Sequence, residues 1–311
     1  MLKFLYSIKF HLKISAARNS FFRKLLNLLI IFLSLTANVW VKIDFKINKK
    51  SSGINLLDVR ERKVVVSLTT FPARIDTIWI SIESIFRQTY KPDIVILWLA
   101  KSQFKDIQSL PHNLKKLQKK GLEIRFCDDL RSHKKYYYAF KEFSKDIIIT
   151  IDDDVIYPEN TIEALIKLHK IYPEYICCNR AHLITTTKGN QIKSYEEWLQ
   201  NPLEITDPTE MLCPTGVSGV LYPPNSVNEE VFNKESIKKL CFHADDLWLK
   251  AMSIINNTKV VKSTEFPSEF FVVSSSQKES LGQINIIQNQ NNKQLQAIIK
   301  EYNIEFSNRT I

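Results

Sequence analysis

Three consecutive carboxylates, Asp152, Asp153 and Asp154, close the apolar run Ile147 to Ile151. Like charges held this close raise one another's pKa unless a cation or hydrogen-bond donors compensate them. A hard divalent ion is the simplest compensation, because Mg2+ or Mn2+ prefers carboxylate oxygens and completes its shell with substrate phosphates. The competing reading is a turn whose Asp side chains cap a helix beginning at Pro158. In an extended chain Asp153 points to the face opposite its two neighbours, where a hydrogen bond within the sheet would also account for it. A second acidic pair, Asp245-Asp246, stands at the start of a later helical pattern. A carboxylate there can act as a general base if a hydroxyl comes within hydrogen-bond reach, or can simply favour a helix N-terminus through its dipole. Two further positions offer cations that phosphate would attract: Arg74, a rigid fork, and Lys134 or Lys135, point charges. His133 reads as a loop residue, since no second His lies at metal-ligand spacing.

These residues need a frame that gathers them. From Val64 the chain alternates strand-like and helix-like segments, the signature of a parallel sheet with covering helices. Strands are expected at Val64 to Leu68, Ile94 to Leu99, Leu122 to Phe126 and Ile147 to Ile151, with a shorter one at Tyr175 to Cys178. The helices between them are expected from about Asp76, which serves as N-cap, at Leu114 to Lys120, at Lys134 to Phe143 and at Glu159 to Ile171. The acids then sit at the carboxyl end of a buried strand, where open α/β sheets bind ligands. Arg74 and the lysine pair follow other strand ends and can converge on the same crevice. Thr185 to Pro208 reads as an irregular excursion. Two of only six glycines, Gly216 and Gly219, lie three apart, which suggests backbone held close to a ligand or another segment. A helix starting near His243 and one at Gln294 to Tyr302 complete the pattern.

The formal charge of +10 invites a nucleic-acid reading, but its distribution argues against one. Residues 1–50 hold ten Lys or Arg against a single acid, Asp44, so the rest of the chain is nearly neutral. That segment also carries the apolar run Leu25 to Val41, at the short limit for a bilayer span. Ahead of it Leu5, Ile8 and Leu12 share one helical face beside lysines. Membrane-surface attachment through residues 1–45, one marginal span, or a basic amphipathic helix packed on the domain all fit; a cleaved signal peptide fits poorly. The five cysteines are odd in number and lack metal-ligand spacing, so they read as reduced core thiols of a cytoplasmic compartment. The expected division is a basic, apolar segment over 1–55, an α/β domain over 56–275 and a tail with one helix over 276–311.

The segment Val64 to Leu97, with Ser-Ile-Phe-Arg-Gln-Thr-Tyr-Lys-Pro-Asp at its centre, resembles the opening strand, helix and Gln-Thr-Tyr turn of GT-A glycosyltransferases. In particular it resembles the inverting family that includes bacterial polysaccharide and lipopolysaccharide sugar transferases. Asp152-Asp153-Asp154 looks like that family's DxD motif, and the likeness extends from about Val64 to Pro267. The resemblance implies a Rossmann-like, mostly parallel sheet with helices on both faces, and sugar transfer from a nucleotide-sugar donor to a glycan or lipid-linked acceptor. Mn2+ or Mg2+ would be bound by Asp154, with Asp152 on the ribose or reaching the metal through water. Donor binding would also involve Thr69, Arg74, Lys134, Lys135 and Asp153. Asp246 would be the base and Asp245 its orienting partner. Gly216 and Gly219 would lie under the acceptor, and Trp248 would stack on a sugar or fill the core. Two features depart from the family. Leu97-Trp98-Leu99-Ala100-Lys101 replaces a base-reading acidic pair, and no His follows Asp245-Asp246, so Asp245, a phosphate or water takes the place of a His ligand. Two other functions compete: a non-catalytic carbohydrate-binding protein of the same fold, and a haloacid dehalogenase-type phosphatase. The phosphatase usually carries its Asp pair on the first strand, whereas three strands precede the acids here. The donor's origin predicts a domain on the cytoplasmic face of a membrane, whereas a single span with the basic N-terminus inside would place catalysis outside, as in lumenal transferases.

Overall fold

The structure is a computed structural model that describes residues 1–15, 20–49, 52–189, 191–274 and 289–306. Its helices are α1 (Leu2–Ser15), α2 (Ser20–Ile47), α3 (Trp79–Phe86), α4 (His112–Gln118), α5 (Lys134–Glu142), α6 (Thr161–Ile171), α7 (Lys234–Leu240), α8 (Asp245–Ile255) and α9 (Gln290–Tyr302). Strands β1 (Val64–Thr69), β2 (Ile94–Ala100), β3 (Leu122–Cys127), β4 (Ile147–Thr150), β6 (Ile176–Cys178), β10 (Val220–Tyr222) and β11 (Val260–Lys262) form the main sheet. Two small antiparallel sheets pair β5 (Val155–Ile156) with β12 (Phe271–Val272), and β7 (Ala181–Leu183) with β8 (Leu199–Gln200) and β9 (Leu212–Pro214).

The seven-stranded sheet runs β11-β6-β10-β4-β1-β2-β3, parallel except for β10. Val66 pairs with Ile149 and Leu68 with Leu97, which puts β-branched and leucine side chains at its centre. Alternation along β1 sends Val64, Val66 and Leu68 into one core layer with α3, α4, α6 and the N-terminal helices. Val65 enters the other, with α5, α7, α8 and α9. Both faces are covered, as buried parallel strands require.

Three expectations need correction. Asp76 does not cap α3. Residues Pro72–Arg74 form a 3-10 turn whose bonds continue through Thr77 and Ile78 to Arg74, so the helix starts at Trp79 from an Ile78 N-cap that lends it no side-chain bond. The Asp cluster does not cap α6 either. Gln88 does so instead, accepting from the Ile162 amide at 2.9 Å and donating to the Pro158 carbonyl at 2.6 Å. The Gln-Thr-Tyr turn is thus the clamp between α3 and the chain leaving the acids. Finally, the excursion after Arg180 is partly ordered as the β7-β8-β9 sheet. The tail residues 276–288 and 307–311 lie outside the described residues.

The N-terminal helices pack on the domain. Leu5, Tyr6, Leu33, Ala37, Val41 and Phe45 are buried in the first core layer. One of α2's two asparagines, Asn38, bonds to the Val272 carbonyl and the Ser274 amide, both at 2.9 Å.

Candidate active site

The sheet order explains how the site is gathered. Because β10 runs antiparallel to β4, with Val220 opposite Thr150, the turn that enters β10 lies at β4's carboxyl end. That turn is Gly216–Ser218, and it faces the acids that follow β4. The first turn of α8, which carries Asp245 and Asp246, closes the same crevice. Strand, turn and helix therefore bring together residues almost a hundred positions apart.

Lys135 sits at the centre. Its Nζ lies 2.7 Å from Asp152 and 2.9 Å from Asp245. Burial opposes its charge, but the fields of Asp152, Asp245 and Asp246 raise its pKa well above the usual lysine value. Asp246 is held by the backbone: the Gly216 amide donates to both its carboxylate oxygens at 3.1 Å. Burial, reinforced by the neighbouring Asp245, nonetheless pushes its pKa up to about 7. Asp245 goes the other way. Although burial works against its charge, Lys135, His133 and a hydrogen bond from Ser132 hold its pKa below the usual carboxylate range. Two adjacent carboxyls thus have opposed protonation preferences, the usual sign of divided acid–base roles.

The aspartates of the strand end diverge. Asp152 turns toward Lys135, while Asp153 is buried on the other face, accepting from Arg74 at 2.6 Å and the Thr70 hydroxyl at 2.5 Å. Arg74 also lies 3.1 Å from Asp154. Burial, with Asp152 and Asp153 alongside, lifts the Asp154 carboxyl to about 7 even beside that guanidinium. Tyr157 organises the turn from below, its hydroxyl accepting from the Asp152 amide at 2.8 Å.

Several residues named for the site lie elsewhere or do other work. Asp153 is committed to Arg74 and Thr70 and organises the loop rather than facing a ligand, because extended alternation turns it away. Arg74 is buried against the acids it neutralises. Lys134 points away, to Asp129 at 2.8 Å, since adjacent residues on a helix do not share a face. The Thr69 hydroxyl donates to the Trp98 carbonyl at 2.8 Å. Trp248 is fully buried with its indole N–H on the Val231 carbonyl, so it fills the core and does not stack on a sugar. Gly219 adopts φ 89°, a left-handed turn, and faces Leu165, Thr161 and Asn179 rather than an acceptor. Gly216 does line the crevice: a Cβ there would come within 2.9 Å of Lys135 Nζ and 3.2 Å of an Asp246 oxygen.

His133 is more than a loop residue. Its Nε2 donates to the Cys241 carbonyl and its Nδ1 accepts from the Tyr136 hydroxyl, both at 2.8 Å, which fits a neutral ring. Burial accordingly drops its pKa to about 4. Thr70, Tyr157 and the neutral His133 carried no sequence signal for these roles, because each depends on where the fold places its partner: Asp153, the Asp152 amide and the Cys241 carbonyl.

Among the described residues, no group of three or more His, Cys, Asp or Glu side chains could hold a metal alone. Two carboxylates suffice, however, for an ion that shares its shell with substrate phosphates. Asp152 and Asp154 are the candidates for that pair, with burial disfavouring the charge on Asp154 even though Arg74 lies 3.1 Å away.

Residues 68–218 match the family described as Glycosyl transferase family 2. No curated protein matches the chain. Among solved structures, the chain is similar to "Mannosyltransferase PcManGT from Pyrobaculum calidifontis in complex with GDP-Man and Mn2+". The identity is 13% and the TM-score 0.49, over 95% of this chain and 76% of that one. It is also similar to a putative glucose-1-phosphate thymidylyltransferase from Bacillus anthracis in complex with a sucrose (13%, TM-score 0.42, 76% of this chain and 99% of that one). A third is a 4-diphosphocytidyl-2C-methyl-D-erythritol synthase (8%, TM-score 0.40, 74% and 99%).

Proposed function

We propose that this chain, a GT-A glycosyltransferase by its family 2 domain, transfers a hexose with inversion from a nucleotide-diphosphate sugar to a hydroxyl of a glycan or lipid-linked acceptor. Cell-surface polysaccharide synthesis is the pathway class, and residues 1–45 hold the domain at the cytoplasmic face of a membrane. The observation that carries the reading is Lys135, which joins Asp152 at the strand end to Asp245 at the head of α8 and so unites a donor side and a base side.

Cleaving the donor's anomeric bond leaves extra negative charge on the departing diphosphate. Asp154, with Asp152, would hold Mn2+ or Mg2+, which when bound supplies Lewis-acid stabilisation of that charge. Arg74 keeps Asp153 and Asp154 in place from behind. Asp246 is the general base: with a pKa near 7 it is poised to take the acceptor hydroxyl's proton at neutral pH. The Gly216 amide fixes its orientation, and Asp245 keeps Lys135 charged beside it. Five buried, free cysteines suit a reducing compartment.

Thermal shift with a panel of nucleoside diphosphates, with and without Mn2+, tests the donor side, since a ligand specific to the folded state raises apparent stability. One nucleotide should stabilise the protein only with metal, and Asp154→Asn should abolish that shift. Asp246→Asn should retain it yet lose transfer. A panel with no metal-dependent shift, or an Asp246→Asn enzyme with unchanged turnover, refutes the assignment.

A further inference from the structure

Helix α2 has two apolar faces, and only one is used by the fold. Leu33, Ala37, Val41 and Phe45 are buried, whereas Leu28 and Phe32 are each 64% exposed and Val39 61%. Leu25, Leu29, Leu35, Ile43 and Ile47 are exposed as well. These positions recur every three or four residues, which gives one stripe along the helix. Over Lys24–Ile47, 24 residues, the stripe runs about 36 Å. Lys24 stands near one end of the stripe and Lys42 and Lys46 near the other, and all three are exposed.

The length and hydropathy of this segment suit a transmembrane crossing, but its contacts do not. From Leu33 to Phe45 the opposite face lies against the domain, with Asn38 bonded to the strand Phe271–Val272 and Asp44 paired to Arg87 at 3.3 Å. The Tyr6 hydroxyl of α1 accepts from the Phe271 amide at 2.9 Å and donates to the Ile156 carbonyl. Were α2 to cross a bilayer, Arg87 and its partners Glu83 and Asp44 would be drawn into hydrocarbon with it. The part ahead of Leu33 is too short to cross alone, since a span needs about 20 residues.

We infer that α2 lies in the plane of the membrane, its outer stripe sunk among acyl chains and its lysines on anionic headgroups, with the catalytic domain carried on its inner face. This rests on, and sharpens, the membrane attachment proposed above. The occupant is a lipid surface, because exposed lysines beside a continuous apolar stripe match an anionic interface.

The test uses the full-length purified chain and sedimentation with phosphatidylcholine vesicles, with and without about one-third phosphatidylglycerol. Wild type should bind the anionic vesicles. The combined variant L28S/F32S/V39S should weaken binding about tenfold or more, and K24E/K42E/K46E should lose the anionic preference. Both should keep the wild-type melting temperature and nucleotide-dependent thermal shift, so failure here is distinct from failure of the transferase reading. Orientation is read with K3C and K49C in sealed membrane vesicles, the native cysteines being buried. A membrane-impermeant maleimide should label both positions from the same side. Labelling of position 3 only after permeabilisation would establish a span and overturn the inference. So would a wild type that ignores vesicles and instead dimerises through a stripe the triple-serine variant abolishes.

Discussion

The most informative single residue is Asp246. Its carboxyl sits near 7 because burial and Asp245 disfavour the charge more than Lys135 supports it. As the proposed base it must be unprotonated, so transfer should rise with pH through about 7 and level off above. A pH–rate profile checks this; Asp246→Asn should lower turnover on the order of 10²–10⁴-fold and erase the rise. Stability should move oppositely. A carboxyl whose folded pKa exceeds its unfolded value binds its proton more tightly in the folded state, so its contribution falls as pH rises between the two. Asp246→Asn, which can still accept from the Gly216 amide, should therefore melt higher than wild type at pH 8, with the gain shrinking toward pH 5. Chemistry was readable at this scale only as residue type. The acids stand out in the sequence, but Lys134 and Lys135 are equivalent there until the helix turns one toward Asp129 and the other toward Asp152. Trp248 is likewise ambiguous in sequence, and only the packing of α8 against Val231 decides it.

At the scale of elements, the Gly216 turn is where the backbone is fitted to the site. A methyl at 216 would press on the Lys135 ammonium and the Asp246 and Asp152 carboxylates, at 2.9, 3.2 and 3.3 Å. Lys135 is the flexible end of a side chain, so Gly216→Ala should fold with a melting temperature close to wild type. It should still separate the charges that Lys135 joins, and lower kcat about tenfold or more, as displacements of even 1 Å at a site do. Steady-state kinetics beside a melting curve distinguishes this from simple destabilisation. Gly219 behaves differently: its positive φ makes Gly219→Ala strained whatever the space, so stability itself should fall. The parallel strands and their helices were legible because uninterrupted β-branched runs and three-to-four spacing survive in sequence. The insertion of β10 between β4 and β6 was not, since a three-residue strand carries no period and its direction depends on partners far along the chain.

Across the whole molecule, a chain of contacts links the N-terminal helices to the candidate crevice. Tyr6 packs against Phe270 and Phe271, Phe270 meets Tyr157 edge-on at 5.9 Å, and the Tyr157 hydroxyl holds the Asp152 amide. The basic, apolar composition of residues 1–50 suggests either a membrane contact or a helix packed on the domain, but not one helix with an apolar face for each. Leu5, Leu33, Val41 and Phe45 are each buried in the core. At about 1.5–3 kcal/mol apiece, their loss rivals the roughly 5–15 kcal/mol that stabilises a typical domain. Deleting residues 1–48 should therefore yield a protein that melts far lower or aggregates, with weakened metal-dependent nucleotide binding, rather than a well-behaved soluble transferase. The triple-serine stripe variant should melt like wild type, because it alters only the outer face. Parallel melting curves and nucleotide titrations on the two proteins decide it. If the truncated chain keeps both its stability and its nucleotide affinity, the helices are only an anchor, and the chain of contacts from Tyr6 to Asp152 carries no load between membrane and active site.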